Sequence, residues 1–174
     1  MGRFATGEDA RRLHEAGHEI ACHTFSHLDC GQSSRATTIA DVDRNAESLA
    51  AWGVGEPVNF AYPYGDVGGP AKTALAGRFK VLRALHHGLI TSGADLNQAP
   101  AVGIEGEDGE AVANGWLERA KVRKAWLILY THDVADRPSQ WGCTTAALER
   151  LIDRSVAEGF DVVTVAEGAR RIGL

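Results

Sequence analysis

Two imidazoles stand four positions apart in the stretch Gly17-His18-Glu19-Ile20-Ala21-Cys22-His23-Thr24-Phe25-Ser26-His27. Neutral imidazole is the commonest metal ligand, and two of them close in sequence fix two corners of a site. His23 and His27 are therefore the candidate metal pair. Spacing alone does not decide this, because a chain with 7 histidines can produce such a pair by chance, with satisfied or solvated rings as the ordinary alternative. Two further stretches strengthen the reading. Leu127-Ile128-Leu129-Tyr130-Thr131-His132-Asp133 carries an apolar run into another histidine, and Phe60-Ala61-Tyr62-Pro63-Tyr64-Gly65 carries a second run into a proline turn. Apolar strands that end in polar chemistry are how parallel α/β folds present a site.

The elements that must position these residues can be read in order. Thr6 with Asp9 three positions on predicts an N-cap, opening a helix that turns Ala10, Leu13 and Ala16 inward and stops at Gly17. His18 to Cys22 reads as a short buried strand. Thr37 or Thr38 caps a second helix with Ile39, Val42, Ala46, Leu49 and Ala50 on one stripe, ended by Gly53. Residues 57–61 and 79–85 read as strands, with Pro70 opening a helix between them. The Gly-, Asp- and Asn-rich stretch 86–109 holds one short strand at 101–104; a helix over 110–122 follows, then a strand over 125–131. Thr144 or Thr145 caps a helix to Glu158, a last strand spans 159–165, and a helix to Ile172 ends the pattern. Strands alternating with helices at this spacing predict a parallel sheet with helices outside it.

The motifs Gly-His-Glu-Ile-x-x-His-Thr-x-Ser-His, Tyr-Pro-Tyr-Gly and Leu-x-x-His-Asp, in this order from Gly17 to Asp133, resemble those of the polysaccharide deacetylases, the NodB-homology domain of carbohydrate esterase family 4. The ending from Gly159 to Val165 resembles that family's last strand. The resemblance implies a fold of class α/β, an incomplete distorted (β/α)7 barrel of about five to six parallel strands with outer helices, in a single domain over 1–174. It also implies a metal-dependent hydrolase that removes N-acetyl or O-acetyl groups from a carbohydrate. On that reading His23 and His27 hold a divalent metal, zinc being the expected one. His132 protonates the departing amine, and the backbone N–H of Tyr64 helps to stabilise the oxyanion. Pro63 and Gly65 shape the substrate turn, and Leu129 lines the pocket for the acetyl methyl. The partner implied is an acetylated sugar or polysaccharide.

Departures from the pattern are as informative. The family opens with a strand ending in Thr-Phe-Asp-Asp-Gly, and no such segment precedes Phe4 here, so the resemblance implies a truncated chain lacking a general base and a third metal ligand. Pairing through the open sheet edge would then make a homo-oligomer. Ala61 stands where many members carry an arginine, and Asp95 is the candidate for the family's fourth-motif acid. Asp29, Asp66 and Asp133 are further acids that could approach a site. Two rival readings follow. One is a catalytically inactive carbohydrate-binding or oligomerisation module. The other takes His14-Glu15-Ala16-Gly17-His18 as a His-Glu-x-x-His zinc peptidase motif, which requires a helix through both histidines; Gly17 and the strand-like run after it oppose that.

Composition limits the alternatives. With 174 residues, 44% of them hydrophobic, the chain can bury one core. A net charge of −5 with no block of Lys or Arg argues against a nucleic-acid partner or an anionic membrane. Met1 to Thr6 lacks the apolar core of a signal peptide, and no run is long enough to span a bilayer, so the default expectation is cytoplasmic. Cys22, Cys30 and Cys143 suggest neither a disulfide framework nor a Cys-x-x-Cys metal knuckle. Trp116 and Trp141 are candidates to stack on sugar rings, with core or rim packing as the ordinary role.

Overall fold

Short hydroxyl side chains set most helix starts. In the computed structural model, which describes residues 4–172, Thr6 caps α1 (Gly7–Glu15) by accepting from the Asp9 N–H at 3.2 Å, while the Asp9 carboxylate accepts from the Thr6 N–H at 2.9 Å. This reciprocal box satisfies two donors that a helix start leaves unpaired. Ser34 caps α2 (Arg35–Ala51), and α3 (Gly69–Leu75) begins with proline in its first turn. After α4 (Gly109–Arg123), Thr144 caps α5 (Thr145–Ala157) and Thr164 caps α6 (Val165–Arg171). The cap of α2 corrects the expected Thr37 or Thr38: Ser34 Oγ accepts from the Thr37 N–H, so Thr37 already lies inside the first turn. The leader reading at Met1, Gly2 and Arg3 lies outside the described residues.

The strands are parallel but short. Strand β1 (Phe60–Ala61) pairs with β2 (Leu82–Arg83), Phe60 opposite Leu82, and β3 (Val102–Gly103) pairs with β4 (Leu129–Tyr130), Val102 opposite Leu129. Single parallel bridges add Cys22 beside Phe60 and Ala99 beside Arg83, giving the lateral order Cys22, β1, β2, Ala99. Ile90 meets Trp126 in an antiparallel bridge. Among the described residues the regular ladders are thus fewer and shorter than the five to six strands expected. Local chemistry ends them: Pro63 has no N–H to continue the β1 line, and the Thr131 hydroxyl donates to the Ile104 carbonyl at 2.9 Å just after β4.

Three expected elements differ. Helix α1 fully buries none of its residues; Leu13 is 40% exposed and Ala10 only partly buried, so its apolar stripe is incompletely covered. In the predicted strand at 18–22 only Cys22 is bridged. No strand forms over 159–165; Val162 and Val163 are exposed, and the N–H groups that follow are used to start α6.

Contacts divide the chain into two compact bodies. One comprises the residues through Ala84, Asp95–Ala99 and the segment from Thr164; the other comprises Leu85–Ala94 and Pro100–Val163. The first packs Cys22, Cys30, Val42, Phe60, Tyr62 and Leu75 into a core with Phe79 and Leu82. Its Glu19 bridges distant parts, accepting from the Asn59 side-chain amide and, at 2.8 Å, from the Ala166 N–H at the start of α6. The second packs Ile104, Ala113, Leu117, Cys143 and Leu151 together, with Leu129 partly buried against them. Among the described residues no helix is long and apolar enough to cross a membrane.

Candidate active site

In the first body the sequence folds His23 and His27 onto one another. Their ring centroids lie 4.9 Å apart at an interplanar angle of 80°, and the His27 ring meets Tyr64 edge-on at 4.6 Å. His23 Nδ1 is 2.7 Å from the Ala61 carbonyl oxygen. A carbonyl only accepts, so Nδ1 carries the proton and the lone pair resides on Nε2, the tautomer that ligating histidines adopt when a carbonyl orients them. Ala61 belongs to β1, whose bridge to Cys22 sets this spacing.

The backbone here is strained. Thr24, His27 and Tyr64 have positive φ, at 61°, 57° and 57°. The left-handed region costs a non-glycine residue roughly 1–2 kcal/mol, most for a β-branched side chain such as Thr. Such strain persists only where surrounding contacts over-determine it. Those contacts are present. The Asp41 carboxylate, reaching from α2, accepts from the Phe25 N–H at 2.7 Å, the Ser26 N–H at 3.0 Å and the Ser26 hydroxyl at 2.8 Å. Burial works to raise the Asp41 pKa, but the Ser26 and Phe25 donors and nearby Arg44 outweigh it and hold the carboxyl below its usual range. Thr24 Oγ1 accepts from the Leu28 N–H at 2.9 Å. Two glycines let the neighbouring loops close: a Cβ at Gly31 would overlap the Asp66 carboxylate, and one at Gly68 would overlap the Cys30 carbonyl.

Two other acids of this body are otherwise engaged. Asp29 accepts from the N–H groups of Gly31 and Gln32 in its own turn, and Asp95 takes the Lys72 ammonium and the Asn97 N–H. A zinc site with open chemistry needs three protein ligands. His23 and His27 suit zinc in donor type and tautomer, but among the described residues no group of three or more His, Cys, Asp or Glu could hold a metal ion.

In the second body His132 follows β4 at a strand end. Its Nδ1 lies 2.8 Å from Glu105 Oε1 and 3.2 Å from the Trp141 carbonyl oxygen, both acceptors, so Nδ1 carries a proton in this arrangement. Glu105 is largely buried, whereas the His132 side chain is 56% exposed. Tyr130 Oη reaches the second Glu105 oxygen at 3.4 Å. Asp133 is committed to Ser139, whose hydroxyl and N–H draw its carboxyl below the usual range. Trp141 is exposed with its ring 6.5 Å from His132, while Trp116 packs between His87 and Arg119. A groove of about 520 Å³ opens beside this loop, lined by Gly106, Glu107, Ser139, Gln140 and Thr144 among others.

Sequence reasoning found the histidines and missed two acids. Asp41 falls on the buried register of α2, with Thr38, Val42 and Leu49, and a carboxylate on a core-facing stripe was the available signal. Glu105 ends the apolar run from Ala101 to Ile104, the same strand-end pattern that singled out His132. Glu105 is the acid that holds His132, while Asp95 accepts from Lys72 and Asn97. The peptidase reading has no geometric support, because α1 ends at Glu15 and Gly17 has φ 90°, leaving His14 and His18 on different segments.

The chain is similar in part of its sequence and in its fold to known proteins. The polysaccharide deacetylase family model matches residues 3–77, under half of the chain. A family 4 carbohydrate esterase domain of a multidomain xylanase, from the hindgut metagenome of Trinervitermes trinervoides, is 18% identical with a TM-score of 0.67, covering 97% of this chain and 72% of its own. A Streptococcus pyogenes deacetylase in complex with acetate is 18% identical at TM-score 0.51, covering 55% of this chain and 43% of its own. A pseudoenzyme of carbohydrate esterase family 4 from Bacillus anthracis is 14% identical at TM-score 0.57, covering 92% of this chain and 50% of its own. The chain therefore spans half or less of the length of two of these proteins. No curated protein sequence matches it. The chain is polysaccharide deacetylase-like in its N-terminal sequence, and its fold is that of the family 4 carbohydrate esterases.

Proposed function

We propose that this chain is a carbohydrate deacetylase, a hydrolase that removes N-acetyl or O-acetyl groups from a sugar, cleaving a non-peptide C–N bond in the amide case. The observation that carries the reading is His132 with Nδ1 held between Glu105 and the Trp141 carbonyl, a strand-end imidazole aimed through Nε2. The fold behind the reading is the distorted (β/α) barrel of the resemblance, one domain over 1–174.

In this reading His132 Nε2 delivers the proton to the departing amine, a task suited to an imidazole near working pH. Glu105 keeps the ring from turning and supports its positive charge when protonated. The left-handed Tyr64, between Pro63 and Gly65, presents its backbone N–H toward the oxyanion, where a fixed dipole stabilises charge without reorganising. Leu129 lines the acetyl methyl pocket. A divalent metal such as zinc, when bound, would polarise the acetyl carbonyl and acidify water, and His23 and His27 would be its ligands.

The test is acetate release from N-acetylated chito-oligosaccharides and from O-acetylated xylan, with zinc supplied, for the wild-type chain and for His132→Ala. Release that is stimulated by zinc and lost in the variant supports the reading. A folded wild-type chain that releases no acetate from either substrate, while a known deacetylase does, overturns it. One observation favours a second reading: among the described residues no group of three or more His, Cys, Asp or Glu could hold a metal ion, and the fold is also that of a pseudoenzyme. That reading, an inactive carbohydrate-binding or self-associating module, predicts sugar binding by calorimetry without turnover, with association through the open edge beside Cys22 detectable by sedimentation.

A further inference from the structure

We infer that Asp41 is a positioning residue for the His23 and His27 pair, acting through the backbone of the loop between them. The inference rests on reading those histidines as a metal pair. Its warrant is a geometric coincidence of three independent features. First, the two amides that Asp41 clamps, Phe25 N–H at 2.7 Å and Ser26 N–H at 3.0 Å, belong to residues lying between the two imidazoles in the chain. Second, the residues flanking the clamp, Thr24 and His27, are the ones in the left-handed region, and a four-residue span with two such residues relaxes unless something holds it. Third, the clamp comes from a rigid element: α2 is 17 residues long, anchored by buried Val42 and Leu49, and Asp41 is only 8% exposed.

A side chain whose sole function was to satisfy a helix or fill a core would not place a carboxylate against three donors of a distant loop. Asp41 donates nothing and accepts from all three, so removing it leaves Phe25 N–H, Ser26 N–H and the Ser26 hydroxyl unpaired in a partly buried place. The left-handed turn at His27 then loses its restraint, and the ring leaves its station beside His23. Residues that orient ligands without touching the ion typically change metal affinity 10–100-fold when removed.

The experiment is a zinc titration by calorimetry on the wild-type chain, Asp41→Ala, Ser26→Ala and His23→Ala, joined to the nuclear Overhauser contact between the His23 and His27 ring protons in metal-free protein. Asp41→Ala is expected to unfold cooperatively, bind zinc about 10–100-fold more weakly and lose the ring contact, with Ser26→Ala intermediate. A folded Asp41→Ala with wild-type zinc affinity and an intact ring contact overturns the inference. Should Asp41→Ala fail to fold, Ser26→Ala decides, and unchanged affinity with an unchanged ring contact overturns it. If the wild-type chain binds zinc no better than His23→Ala, it is the metal reading that fails. The ring contact then tests the clamp alone, and an undiminished contact in Asp41→Ala, or in Ser26→Ala should Asp41→Ala fail to fold, sinks the inference.

Discussion

The His23–His27 region and the His132 region solve one problem, holding an imidazole still, by opposite means. In the first, the restraint is backbone: left-handed Thr24, His27 and Tyr64, a carbonyl on His23 Nδ1, and a buried carboxylate beneath the loop. In the second, the restraint is mainly a side chain, Glu105, on a half-exposed ring. Among the described residues four non-glycines have positive φ, and none of them lies between Ala125 and Gly142. Backbone restraint is stiff and intolerant of added atoms; side-chain restraint is local and cheap to remove.

Substitutions can break this contrast, and the largest effect is expected at Gly68. A Cβ there meets the Cys30 carbonyl, a backbone atom that cannot rotate away, so Gly68→Ala should destabilise by about 2–3 kcal/mol in urea unfolding. Wild-type stability would show that the loops are not closely seated. Acid comes next. The pKa of Asp41 is held below its ordinary value, and Arg170 and Arg171 bring Glu167 down to about 2 from 4.5. Groups depressed in the folded state contribute in full above their unfolded values and lose that contribution as pH falls through the folded ones. The urea midpoint should therefore be flat from neutral pH to about 5 and decline between about 4.5 and 2, and a midpoint unchanged at pH 3 would contradict the assignment.

Glu105→Ala should cost less than about 1 kcal/mol of stability, because the ring it holds faces solvent. It should nevertheless lower any acetate-releasing rate at least about tenfold through misplacement of His132; an unchanged rate would separate Glu105 from the chemistry. The smallest effect is a gain. Tyr64→Gly relieves a left-handed residue that is 66% exposed, so the protein should become about 0.5–1 kcal/mol more stable, with the His27 ring freed. A loss of stability would mean that the edge contact between Tyr64 and His27 outweighs the strain. Burial also raises the Cys22 and Cys30 thiols to about 11, so alkylation of these two should follow unfolding and not precede it.

What was legible in the sequence follows from what repeats locally. Helix boundaries were readable because Thr6, Thr144 and Pro70 act on their own next turn. The histidine pair was readable because its members are neighbours in sequence. Strand extent was not: an apolar run such as Ala125–Thr131 has the composition of a long strand, yet only Leu129 and Tyr130 form a regular ladder, since pairing depends on what lies alongside. Asp41 and Glu105 were hidden for the same reason, each acting on a loop or ring 15 to 27 positions away. The left-handed turns carry no glycine at Thr24, His27 or Tyr64, so nothing in composition announced them.

Glu19 has a consequence for the order in which the chain can be completed. Its carboxylate joins Asn59 to the Ala166 N–H, a link across 147 positions. During synthesis the segment near Glu19 emerges 147 positions ahead of this partner. Until that partner arrives, one carboxylate oxygen and the amide that starts the final helix have only water to satisfy them. The body that holds Glu19 should therefore complete its native hydrogen bonds only after residue 166 has emerged, in a step whose rate is set by closure of a long loop.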